Sequence, residues 1–149
     1  MPKKNPYNVP PGAPDIMDTV FVVIPALNEV TRIGRVIDGL VEYGFRHMVV
    51  VDDGSIDDTG AAIEGIPGVE VIRHIANLGP GASTMTGIEY SLERGAEYIA
   101  TIDADHQSDP ADLLMLVHGI SEHPIDLLIG SRFLRKNDIP RRRVLYNIV

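Results

Sequence analysis

The chain of 149 residues contains no cysteine, which excludes disulfides, thiolate metal sites and cysteine nucleophiles and allows a reducing compartment. It has no apolar run approaching the length of a membrane span. Its start, Met1-Pro-Lys-Lys-Asn-Pro6, lacks the apolar stretch of a secretory signal, so the cytoplasm is the expected location. Positive charge is scarce: 13 Lys and Arg stand against 21 Asp and Glu, for a net charge of −8. Nothing in that balance offsets a nucleic-acid backbone, which argues against nucleic acid as a main partner. An acidic chain that binds a phosphorylated ligand needs a divalent cation or locally placed arginines, and candidates for both are present.

What is there is one domain's worth of alternating segments, with 44% hydrophobic and 23% charged residues, values in the range of a soluble globular protein. Five of the eleven prolines fall at positions 2, 6, 10, 11 and 14, so residues 1–18 read as an extended lead-in and residues 19–149 as the domain. Thr19–Ile24 is a β-branched run stopping at Pro25, a strand that enters a loop. Over residues 29–43, Val30, Ile33, Val36, Ile37, Leu40 and Val41 recur at helical spacing, and Gly44 ends the helix. His47–Val51 is a second strand without alternation, hence buried on both faces. Asp57, Asp58 and Thr59 offer caps for a short helix to about Ile66. Val69–Ile72 is a third strand. Gly79–Arg94 reads as a helix with Met85, Ile88 and Leu92 along one face, Met85 as core filler and Gly95 as its stop. Ala96–Ile102 is a fourth strand, Pro110 starts a helix running to about Glu122, and Ile125–Ile129 is a fifth strand. Such alternation predicts an α/β fold with a mostly parallel sheet and helices on both faces.

Sheets of this kind bind ligands beyond the carboxyl ends of their strands. There the chain places Pro25–Glu29, Asp52–Ser55, Asp103–Gln107 and Gly130–Arg132. The most informative cluster is Ile99-Ala-Thr-Ile-Asp103-Ala-Asp105-His-Gln107, where an apolar run ends in two carboxylates and a carboxamide at alternate positions. If the chain stays extended past the strand end, Asp103, Asp105 and Gln107 converge. Two hard anionic oxygen donors and one neutral one suit Mg²⁺ or Mn²⁺, with positions left for phosphate oxygens. The plainer reading is an acidic turn after a strand.

Taken in order, Pro25-Ala-Leu-Asn28-Glu29, Val51-Asp52-Asp53-Gly54-Ser55, Asn77-Leu-Gly79, Asp103-Ala-Asp105-His-Gln107 and Gly130-Ser-Arg132 resemble the family 2 glycosyltransferases of GT-A fold. The likeness is greatest to the branch of dolichyl-phosphate mannose synthases and polyprenyl-phosphate sugar transferases. The resemblance implies inverting transfer of a sugar from a UDP- or GDP-sugar to a polyprenyl or dolichyl phosphate. By the same resemblance, Pro25, Leu27 and Glu29 would border the nucleoside and Asp53 would hydrogen-bond the base. Asp103 would face metal and ribose, Asp105 and Gln107 would ligate the metal, and Arg132 would approach phosphate. Arg142 or Arg143, within the basic cluster Arg135, Lys136, Arg141, Arg142 and Arg143, would meet the acceptor phosphate or an anionic membrane surface.

Each position also has a structural reading. One of Asp52 and Asp53 closes an Asp-Gly turn or caps a helix while the other carries function, and the residues do not say which. Asn28 and Glu29 can cap the first helix, and Asp109 the one at Pro110. Gly79 opens a helix whose amides can meet phosphate. Between Gly79 and Gly81, where the family usually has lysine or arginine, this chain has Pro80, which removes a cation from the donor site. His106 is a solvent-exposed spacer, and His47, His74, His118 and His123 are structural or surface residues.

No acidic residue after Asp105 has the context of the downstream base used toward sugar hydroxyls. An acceptor that is already an anionic phosphate needs none. A domain truncated at its C-terminus, with the base beyond Val149, is the other option. Two further readings stand beside these. One is a catalytically weak nucleotide-sugar-binding or assembly module, oligomeric or lipid-associated through apolar Val144–Val149. The other, a sugar-1-phosphate nucleotidyltransferase, wants a glycine-rich basic loop where this chain has Pro25–Glu29.

Overall fold

The computed structural model describes residues 15–130. Arg132, Arg142, the basic cluster around them, the apolar segment 144–149 and most of the proline-rich lead-in lie outside those residues. Four parallel strands, β1 (Val20–Ala26), β2 (His47–Asp52), β3 (Val69–Arg73) and β4 (Tyr98–Thr101), form one sheet in the order β3-β2-β1-β4. Helices α1 (Ile33–Glu42), α2 (Pro80–Glu93) and α3 (Pro110–Glu122) cover it. The α/β prediction with helices on both faces holds.

Side chains alternate across a strand, and here both faces are apolar. Val20, Val22, Ile24, Met48 and Val50 join Ile33, Val36, Ile37 and Leu40 of α1 and Leu113, Leu114 and Val117 of α3 in the main core. Phe21, Val49 and Val51 point the other way, packing with Ile72, Tyr90 and Ala96.

On that second face α2 differs from expectation. Its buried residues are Ser83, Gly87 and Ser91, spaced four apart, whereas Met85 is 52% and Leu92 58% exposed. A Cβ at Gly87 would lie 2.3 Å from Val23 Cγ1, so the helix backbone rests directly on β1 and only small residues fit between them. Met85 is therefore not core filler. The sequence pattern selected the apolar stripe, and close backbone approach selected the small one.

Other differences have local causes. Ile16–Asp18 is a turn of 3-10 helix capped by Asp15, with Met17 buried, so the lead-in is not extended to residue 18. β1 runs through Pro25 to Ala26. The Val23 carbonyl accepts from Ile102 N–H (3.2 Å), so Pro25, two residues on, faces the same edge, where β4 has already ended and no ladder donor is missed. Residues 57–66 form turns and no helix. Asp57 and Thr59 are drawn off to another loop, and Gly65 takes φ +81° before Pro67. Ile125–Ile129 is not a strand and is exposed, leaving four strands among the described residues.

Candidate functional site

At the carboxyl edge of the sheet, the loop after β1 and the loop after β2 are laced together by polar side chains. Asn28 N–H donates to Ser55 Oγ (2.9 Å), and Ile56 N–H donates back to Asn28 Oδ1 (2.9 Å). Glu29 N–H donates to Thr59 Oγ1 (2.8 Å) and Val30 N–H to Asp57 Oδ2 (3.3 Å), while the Thr59 hydroxyl donates to Asp57 Oδ1. Asn28 adopts a left-handed φ of 55° to do this, a conformation that asparagine tolerates. Neither Asn28 nor Glu29 caps α1, whose N-cap is Arg32; Glu29 instead pairs with Arg32 (2.6 Å). The sequence reading gave Ser55 no role of its own and took Asp57 and Thr59 for helix caps, where all three instead accept from the β1 loop. Their signal was the density of short polar side chains, each able to satisfy a backbone donor in a loop that has no ladder.

Asp52 and Asp53, at the end of β2, are both buried. Asp52 Oδ1 accepts from Ser55 N–H (2.9 Å), and Arg73 Nε stands 3.7 Å from Oδ2. Asp53 is engaged more fully. Oδ1 accepts from Leu78 N–H (3.0 Å) and lies 2.7 Å from His74 Nδ1, and Oδ2 accepts from Gly79 N–H (2.8 Å). Burial pushes the Asp53 carboxyl up, but hydrogen bonds from Leu78, His74, Gly79 and Ser83 outweigh it and hold the group below its ordinary value. Asp52 closes its turn and Asp53 staples a second loop, so each has a structural task. Gly54, at φ +75°, allows the crossing, since a Cβ there would come within 2.7 Å of the Ala76 carbonyl carbon.

The Asp53 staple brings residues 77–79 against the β1 loop. Between them lies an open cleft of about 140 Å³ lined by Pro25, Ala26, Leu27, Asp53, Asn77, Pro80 and Ser83. Pro25, Leu27 and Asp53 of the predicted nucleoside set thus share one cleft. Glu29 is not among its lining residues, and Gly79 spends its N–H on Asp53 and Asn77 (3.0 Å) instead of leaving it for phosphate. Pro80 supplies apolar wall opposite Pro25.

The Asp103–Gln107 loop is organised differently. Ile102 and Ala104 are buried and Asp103 is exposed between them, so strand-like alternation continues for two residues beyond β4. The chain then turns at Ala104–Asp105, Asp105 Oδ1 accepts from Gln107 N–H (2.9 Å), and His106 takes φ 62°. Convergence of Asp103, Asp105 and Gln107 by continued extension is therefore not the geometry. A turn held by Asp105 itself brings Gln107 back toward it. Asp103 has no hydrogen-bond partner among the described residues, and no cluster of three or more His, Cys, Asp or Glu side chains able to hold a metal occurs among them. The donors offered here are two carboxylates and a carboxamide, a set that fits a magnesium sharing its remaining positions with water and phosphate. Asp109 caps α3 as expected, accepting from Ala111 N–H at 2.9 Å.

An open cleft and an acidic loop thus lie at the carboxyl ends of adjacent strands of a parallel sheet, which makes this an α/β protein with its candidate site at that edge. Residues 21–148 match glycosyl transferase family 2, and the chain belongs to that family. It is 42% identical over 122 residues to an uncharacterized protein of Methanocaldococcus jannaschii, covering 82% of this chain and 50% of that one. It is 30% identical to the UDP-N-acetylglucosamine--dolichyl-phosphate N-acetylglucosaminyltransferase of Methanococcus voltae, over 76% of this chain and 51% of that one. To the polyprenol monophosphomannose synthase of Mycolicibacterium smegmatis it is 33% identical, over 76% of this chain and 45% of that one. The chain thus spans about half the length of these curated relatives. No helix among the described residues is long and apolar enough to cross a membrane.

Proposed function

We propose that this chain forms the nucleotide-sugar half of an inverting glycosyltransferase that moves a sugar from a nucleoside diphosphate to a polyprenyl or dolichyl phosphate. The observation that carries the reading is the placement, in a family 2 chain, of the Pro25–Leu27 cleft and the Asp103–Gln107 loop at the carboxyl ends of the adjacent strands β1 and β4. The acceptor class is supported by two relatives whose names specify dolichyl phosphate and polyprenol.

In this mechanism Pro25, Leu27 and Pro80 enclose the nucleoside, and Asp53 keeps the cleft wall in place while the base lies over it. Asp103, Asp105 and Gln107 would hold Mg²⁺ or Mn²⁺. Bound there, the ion would stabilise the negative charge that develops on the departing diphosphate. Arg132 would add a second cation toward that diphosphate and Arg142 would meet the acceptor phosphate, both by family resemblance. An acceptor phosphate oxygen attacks the anomeric carbon as the bond to the diphosphate breaks. Being already anionic, it requires no base from this chain. A protein acting on such lipids works at a membrane surface, as a peripheral partner.

The test is to incubate the whole protein with membranes and a panel of UDP- and GDP-sugars carrying a radiolabel. Metal-dependent label in the lipid extract from at least one donor is expected. Absence of label with every donor would refute the reading.

A further inference from the structure

The staple on Asp53 has a second layer. His74, just beyond the end of β3, is an inward-facing residue whose side chain is only 11% exposed. Its Nδ1 lies 2.7 Å from Asp53 Oδ1, its Nε2 lies 3.0 Å from the Thr86 hydroxyl on α2, and its backbone N–H donates to the Asp52 carbonyl (2.9 Å). The ring thus spans from the end of β2 to the second turn of α2. Because a carboxylate only accepts, Nδ1 must carry a proton. The Thr86 hydroxyl can donate to Nε2 or accept from it, so the bridge survives either charge state of the ring.

This geometry has a consequence for the cleft. Asp53 accepts from Leu78 N–H and Gly79 N–H, and these two bonds set where residues 77–79 run opposite Pro25 and Leu27. Its carboxylate plane, in turn, is fixed from the other side by His74. We infer that His74 is a positioning residue that, through Asp53, sets the width of the nucleotide cleft, with Thr86 holding the ring at the correct tilt. It touches no residue of the Asp103–Gln107 loop by hydrogen bond, so its action is on donor affinity and not on the transfer step. The nucleotide part of the inference rests on the function proposed above; the ordering of residues 77–79 does not.

The experiment uses His74→Ala, His74→Asn, His74→Gln and Thr86→Val in the whole protein, read in two ways. Without ligand, hydrogen exchange at the Leu78 and Gly79 amides is compared with that of β1 and β2. In His74→Ala those two amides should lose about tenfold of their protection, the loss expected for one charge-assisted hydrogen bond, while the strands keep theirs. Asparagine presents an N–H where Nδ1 lies and should restore protection. Glutamine presents one where Nε2 lies and should not. Thr86→Val should give an intermediate loss. The second reading is GDP and UDP affinity with Mn²⁺, in which His74→Ala should weaken binding and raise KM with kcat little changed. Unchanged protection in His74→Ala, a loss spread equally over β1 and β2, or equal rescue by asparagine and glutamine would each overturn the positioning role. If wild type binds neither nucleotide, the proposed function fails while the exchange result still decides the ordering of the loop. If wild type binds and His74→Ala binds equally well, the link to the cleft fails and the function stands.

Discussion

Two loops leave the carboxyl edge of one sheet, both rich in aspartate, and the protein treats them in opposite ways. The Asp52–Thr59 loop spends its polar groups internally: Asp52, Asp53, Ser55, Asp57 and Thr59 all accept from backbone N–H groups, four of them from other segments and Asp52 across its own turn. In the Asp103–Gln107 loop Gln107 N–H donates to Asp105 two residues back, and Asp103 is left open to solvent. An aspartate whose two oxygens both accept from backbone N–H groups of another loop, as Asp53 does, holds a surface in place. One with oxygens to spare can receive a cation. Identical residue types therefore divide, by where the backbone donors lie, into those spent as scaffold and those left open, to which the proposed function assigns the chemistry.

This division can be broken residue by residue. The largest effect on stability is expected at Asp53→Ala, which strands the Leu78 and Gly79 amides and the His74 ring at once and should cost about 3 kcal/mol in a denaturant titration. The same carboxyl gives a pH signature. Hydrogen bonds hold its folded-state pKa below the ordinary aspartate value of 3.8, so its stabilising contribution is present above 3.8 and is lost as pH falls through the depressed folded value. Acid titration of wild type should therefore steepen below 3.8, and Asp53→Asn should flatten that limb.

Gly54→Ala should follow, at about 2 kcal/mol, because a side chain at positive φ is also driven onto Ala76; a drop in melting temperature with no change in m-value would be the sign. Ser55→Ala and Asn28→Ala each remove one acceptor from the lacing and should cost about 1 kcal/mol. A double-mutant cycle should show them coupled, and strict additivity would separate the two loops. Asp105→Ala should change stability by no more than about 0.5 kcal/mol, the value for a surface position that supports little else.

The same contrast explains what was legible in the sequence. Strands β1 to β3 and helices α1 and α3 announced themselves by runs and spacing, since burial there is decided by the side chains themselves. The stripe Ser83, Gly87 and Ser91 did not, because its burial comes from how closely α2 approaches Val23, a tertiary distance. The turns at 57–66 looked like a capped helix because Asp57 and Thr59 are good caps; their partners, Glu29 and Val30, lie too far along the chain for local rules to find. Among the candidate site residues, the grouping of Pro25, Leu27 and Asp53 at one cleft was legible from the motif. The division of labour was not: which aspartates are spent on backbone donors depends on loops meeting in space. His74 carried no signal, because its partners Asp53 and Thr86 come from two other elements.

The division between scaffold and chemistry is tested most directly by calorimetry of GDP and UDP binding to wild type and Asp105→Ala, each with and without Mn²⁺. The account predicts that wild type binds one of the nucleotides far more tightly with Mn²⁺ than without, and that Asp105→Ala, unchanged in stability, loses that dependence. Equal binding by the two proteins, with the same response to Mn²⁺, would contradict it.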